Sequence, residues 1–195
     1  YDGHLYLVTE DGFHVLDKDA LGTYQPSAFG TKKSARVYVD KDARRAYVSG
    51  HANLLDVYDV SNASTPVLLD PGSVKNPYEE KSASAITARG GVVALAFGKA
   101  GVVVLDARDL ANVQLAGMFE TGDLASDIAL KGKHALVADR FQGVQIVDAS
   151  DPSAPARVGD CDTDTPAVRL ALVGDDLFVL DGAEGLLVYD ASAIR

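Results

Sequence analysis

The stretch "GVQIVDASDPSAP" at residues 143–155 decides the fold. A glycine opens an apolar, β-branched run, the run stops at Asp148, and a Ser-Asp-Pro-Ser turn follows. Four other stretches share this plan. "GFHVLDKD" stops at Asp17, "LLDVYDVSNASTP" at Asp59, "GVVVLDARD" at Asp106 and "GLLVYDAS" at Asp190. The five aspartates are spaced by 42, 47, 42 and 42 residues. A fixed period of this size marks a repeat architecture, in which each unit buries its faces only by stacking on its neighbours.

Residues 125–160 show one unit whole. "ASDIALKG", "KHALVAD", "VQIVD" and "ARVGD" are four short apolar runs, linked by "RFQG" and "ASDPSAP". Runs this short suit strands, and Gly, Pro, Asp and Ser between them suit tight turns. Four such strands in sequence predict an antiparallel meander, and its repetition predicts an all-β chain, a β-propeller of four-stranded blades. The units run over about 1–33, 34–82, 83–124, 125–166 and 167–195 and form a single domain. Five blades is the preferred count, with a ring of six to eight as the alternative. Val37, Ile86, Ile128 and Leu170 hold equivalent places in the first strands and are expected to pack between blades.

Gly12, Gly101, Gly143 and Gly185 each stand five residues before their aspartate, at the turn into the third strand, where glycine permits positive φ. The second unit has Asn53-Leu54 there, so its turn is expected to differ. Each aspartate is expected to accept hydrogen bonds from the backbone of the next turn, helped by Ser61, Ser150 and Ser192. A residue repeated in every unit points to structure rather than catalysis.

The runs "VQIVDASDPSAP" and "LDVYDVSNASTP", preceded by "IALKGKHALVAD", resemble LVIVD-type repeats. The resemblance spans nearly the whole chain and is weakest over 18–33. It implies propeller blades and an extracytoplasmic setting, secreted, periplasmic or at the cell surface. It implies no reaction and supplies no catalytic residues.

Bulk properties narrow the rest. The net charge of −10 argues against nucleic acid, which calls for a basic surface. No apolar run is long enough to span a bilayer as a helix. A lone Cys161 excludes an internal disulfide framework and a multi-cysteine metal site. No phosphate loop, dinucleotide fingerprint, nucleophile elbow or zinc-protease motif occurs. The four histidines, His4, His14, His51 and His134, are scattered. "DCDTDTP" at 160–166 lacks the glycine and closing glutamate of a calcium loop. Asn62-Ala63-Ser64 fits a glycosylation acceptor, but coincides with the repeat's own turn. No cofactor and no metal are therefore expected.

Two places remain for binding. Arg36, Ala85, Asp127 and Arg169 align in one column at the start of the first strands, which line a propeller's channel. Asp127 is expected to pair with Arg36 or Arg169, directly or through water; the alternative is an anion or carboxylate site with the arginines as forked donors. The second unit also carries five extra residues within "PGSVKNPYEEKSAS" at 71–84. There Asn76, Tyr78, Glu79 and Glu80 form a candidate partner-binding loop, with Tyr78 as an aromatic anchor.

The function expected is a non-catalytic protein-interaction or scaffold module, with an accessory subunit of a surface assembly as one form of it. The alternative is a propeller enzyme or small-ligand binder using the channel. Tyr1-Asp2-Gly3 matches the link between first and second strands, and "DASAIR" the turn after a third. The count is three strands, three full blades and three strands, so an excerpt of a longer chain, or completion by a neighbouring chain, is expected.

Overall fold

The computed structural model describes residues 4–9, 12–17, 27–29, 34–70, 74–78 and 82–194. The chain divides into two compact units, residues 1–83 with 107–114, and residues 84–106 with 115–195. Both are built from antiparallel meanders, and a single 3-10 turn at Leu110–Asn112 is the helix present among the described residues.

The first unit holds two sheets. One has three strands, β1 (His4–Thr9), β2 (Gly12–Asp17) and β3 (Ser27–Phe29). The other has four, β4 (Ser34–Asp40), β5 (Arg45–Gly50), β6 (Asp56–Asp59) and β7 (Val67–Asp70). Phe13, Val15, Ala46, Val48, Tyr58 and Val60 form the core between them, with Val37 packed against it. The Phe13 and Tyr58 rings lie 5.0 Å apart, within the range where aromatic pairs attract.

The second unit holds three sheets. The first contains β8 (Ala85–Arg89), β9 (Val92–Ala96), β10 (Val102–Asp106) and β11 (Gln114–Phe119). The second contains β12 (Asp127–Lys131), β13 (His134–Ala138), β14 (Val144–Asp148) and β15 (Ala156–Cys161). The third has three strands, β16 (Ala167–Val173), β17 (Asp176–Asp181) and β18 (Gly185–Asp190). Ile128 joins the core between β8–β11 and β12–β15, and Leu170 packs on the core between β12–β15 and β16–β18. Ile86 is buried.

Burial explains the strand sequences. β9 and β10 read as unbroken apolar runs because their residues are buried on both faces. In β17 and β18 one face packs through Leu177, Val179 and Leu187, while the other exposes Leu180, Leu186 and Val188. Backbone pairs tie successive sheets at the repeat interval: Gly98 with Ala125, and Arg140 with Ala167, each through two N–H···O bonds of 3.0–3.2 Å.

The turn glycines behave as the repeat requires. φ is 135° at Gly12, 74° at Gly101, 67° at Gly143 and 87° at Gly185. In the second repeat Gly50 N–H donates to the Asn53 carbonyl, one residue tighter than Phe97 to Gly101 or Asp139 to Gly143. That is the different turn expected at Asn53-Leu54. The readings on Tyr1-Asp2-Gly3, and most of 18–33, lie outside the described residues.

Candidate functional site

The first-strand column exists in the strand registers. Arg36 lies opposite Ser49, Ala85 opposite Ala96, Asp127 opposite Ala138 and Arg169 opposite Leu180. Asp127 and Arg169 make no direct ion pair. Asp127 Oδ2 accepts from Leu170 N–H at 2.8 Å, and Oδ1 from its own strand's Ile128 N–H at 2.9 Å. Arg169 Nη1 donates to the Val168 carbonyl at 3.0 Å, with a longer 3.5 Å approach to that of Ser126. The reason is local: backbone N–H groups are held beside the carboxylate by the adjoining strands, whereas the exposed guanidinium must be ordered to reach it. Asp127 is therefore a staple from β12 to β16. Ser126 reinforces it, its Oγ lying 3.0–3.3 Å from the carbonyls of Ala138, Ala167 and Val168. Arg36 sits exposed in the other compact unit.

The 74–78 segment is held firmly. Leu54 N–H donates to Val74 O at 2.9 Å, and Asn76 N–H to Ala52 O at 3.1 Å. Lys75 Nζ donates to Asn53 Oδ1 and Asn53 Nδ2 to Asp56 Oδ1, both at 2.9 Å, with Asn53 and Asp56 buried. Asn76 also binds the Gly50 carbonyl, and its Oδ1 accepts from Tyr78 N–H at 3.0 Å. Asn76 thus ties the segment to the backbone at Gly50 and Ala52. Tyr78 is half-buried, and burial raises its phenol above the ordinary range. Glu79 and Glu80 lie outside the described residues.

The sequence reading passed over a third place, the β13–β14 turn. Phe141 is 72% exposed at its tip. Beside it Arg140 holds φ 48°, a left-handed conformation taken one repeat earlier by Gly98 at φ 58°. Bulky side chains adopt it at a cost, and such strain gathers at functional sites. The turn is braced from below. Fully buried Asp139 accepts from Thr121 Oγ1 at 2.6 Å and from Asp123 N–H at 3.2 Å. The Asp123 carboxylate accepts in turn from Phe141 N–H at 3.2 Å. Burial pushes the Asp139 carboxyl up, against the pull of those hydrogen bonds. The result is a rigid platform for one large apolar side chain. The available signal was "RFQG" where the neighbouring repeat has "GKAG": arginine in a glycine place, next to an aromatic in a turn.

The repeat aspartates are structural. Asp59, Asp148 and Asp190 each accept from the N–H two residues on, at Ser61, Ser150 and Ser192, all at 2.8 Å. The serine hydroxyls and N–H groups hold all three carboxyls below the ordinary range, Asp148 at about 2.

The LVIVD repeat family matches residues 46–71 and 122–163, in agreement with the resemblance seen in the sequence. Among curated proteins none matches the sequence. Solved structures share the fold at low identity. A chain of the Mitotic Checkpoint Complex superposes with TM-score 0.72 at 14% identity, over 96% of this chain and 59% of that one. The computationally designed Ika8 protein gives 0.69 at 11%, over 97% of this chain and 56% of its own. A chain of the Nidogen/Laminin complex gives 0.61 at 11%, over 100% and 74%. The chain thus spans less than two thirds of the length of two of these three.

Proposed function

We propose that this LVIVD-repeat chain is a non-catalytic β-propeller module that binds a protein partner outside the cytoplasm, with its four-stranded sheets as the blades. The observation that carries the reading is Phe141, an exposed aromatic on a strained, braced turn. Aromatic anchors presented rigidly contribute strongly to protein interfaces, because little freedom is lost on binding. Two further observations support it. The carboxylates of Asp127, Asp139, Asp148 and Asp190 are engaged by the fold's own N–H and hydroxyl donors, which suits a scaffold better than acid–base chemistry. Two of the similar folds come from chains crystallised in complexes. The extracytoplasmic setting rests on the LVIVD resemblance.

The test is affinity capture from the native organism's fractions on immobilised wild-type chain and on Phe141→Ser, each checked for an unchanged melting temperature. A partner enriched from the extracytoplasmic fraction on wild type, and at least about tenfold less on the variant, is expected. Equal retention on both would sink the assignment to Phe141. Enrichment only from cytosol would overturn the setting.

A further inference from the structure

Comparing two equivalent junctions of the repeat reveals an unfilled charge. Between β12–β15 and β16–β18, Lys131 is buried at the end of β12. Its Nζ donates to the Gly174 carbonyl at 3.1 Å and meets Asp175 Oδ1 at 2.5 Å. One repeat earlier, between β8–β11 and β12–β15, the place of Lys131 is taken by Arg89, that of Gly174 by Gly132, and that of Asp175 by Lys133. A cation therefore stands where the carboxylate would be. The Arg89 side chain is exposed and makes no hydrogen bond or ion pair among the described residues. Lys133 turns instead to Asp148 Oδ2, at 3.3 Å.

The junction consequently stays open. A half-open cleft of about 160 Å³ is lined by Arg89, Val92, Leu130, Lys133, Ala149 and Ser150. Val92, Leu130 and Ala149 give it an apolar lining, and the exposed Arg89 and Lys133 bring two cations to it. Asp148 balances Lys133, which leaves Arg89 as a cation in a chain of net −10. The volume is that of a small hydrocarbon group rather than a nucleotide or sugar.

We propose that this cleft binds a carboxylate carried on a short aliphatic group. The carboxylate takes the place that Asp175 fills at the next junction, between Arg89 and Lys133, and the aliphatic group fills the apolar cleft. A charge-assisted, forked contact to Arg89 supplies orientation, and burial of the hydrocarbon supplies affinity. This site is separate from Phe141 and from the Arg36, Asp127 and Arg169 column. Two sources carry this chemistry, a free short-chain carboxylic acid and the C-terminal residue of a peptide.

The experiment is an amide NMR titration of the 195-residue chain at pH 7 and low salt. The probes are 4-methylpentanoate, N-acetyl-glycyl-leucine and the amide of the latter. Saturable shifts at Gly132, Ala149 and Ser150 are expected, with dissociation constants of about a millimolar. Arg89→Gln should weaken binding at least about tenfold. Lys133→Asp, which recreates the other junction's pairing, should abolish binding while the melting temperature is kept or raised. Phe141→Ser should leave binding unchanged. Tighter binding of the free acid assigns the small molecule, and tighter binding of the dipeptide assigns a chain end. Equal binding of the amide, wild-type affinity in Lys133→Asp, or no saturable shift with either acid would overturn the proposal.

Discussion

Gly143 and Gly185 occupy the same place in the repeat, and both have positive φ. Their surroundings differ. A Cβ on Gly143 would collide with the Cys161 carbonyl and crowd Thr163 N–H, whereas one on Gly185 meets nothing within 4 Å. Gly185→Ala should cost about 1 kcal/mol, from φ alone. Gly143→Ala should cost about 2–4 kcal/mol, because strain and overpacking act together. Chemical denaturation of both variants checks this, and equal losses would show that only φ matters. The carboxylates also make a residue-scale prediction. Asp59, Asp148 and Asp190 are lowered in the fold, so their contribution is present above the unfolded pKa and is lost as pH falls, for Asp148 through about 2. Asp139 is raised, so its contribution is greatest below the unfolded pKa and declines as pH rises through its folded value. The melting-temperature gap between wild type and Asp139→Asn should therefore be wider at pH 4 than at pH 7. A gap independent of pH would contradict the raised carboxyl.

At the scale of elements, β12 and β16 are joined by side chain to backbone rather than by an Asp127–Arg169 ion pair. If Asp127 is a staple to Leu170 N–H, its charge is dispensable but its oxygen acceptor is not. Asp127→Asn should stay within about half a kcal/mol of wild type, and Arg169→Ala likewise. Asp127→Ala should cost about 1 kcal/mol, by leaving that N–H without its acceptor. A loss in Arg169→Ala matching that in Asp127→Ala would restore the ion pair. The column itself was legible in the sequence, because strand register follows the repeat. The bonding was not, because hydrogen-bond donors on a neighbouring strand's backbone leave no mark in residue identity. Asn76 teaches the same lesson: it read as a surface residue in a long loop, yet it binds the Gly50 and Ala52 backbone.

For the molecule as a whole, the open face of β16–β18 matters most. Leu180, Leu186 and Val188 are 46%, 63% and 57% exposed, although their repeat counterparts Ala138 and Val144 lie in the core between β12–β15 and β16–β18 and Ile146 packs against it. An apolar face of this kind favours association between copies of the chain. The net charge of −10 opposes it, and salt screens that repulsion. Sedimentation should show self-association that grows with protein concentration and with salt, and that falls in Leu186→Glu/Val188→Glu. A monomer under all these conditions would contradict it.

The sequence by itself determined the all-β class, the strand order within each repeat, the turn glycines and the structural office of the aspartates. Each of these follows from local rules: short apolar runs, turn chemistry and a period. Tertiary structure alone decided which equivalent positions differ in practice. Lys131 is closed by Asp175 while Arg89 and Lys133 line one cleft, and Phe141 N–H is held by Asp123, which bonds the buried Asp139. These depend on neighbours about 18 to 44 residues away in sequence, brought together only when sheets stack.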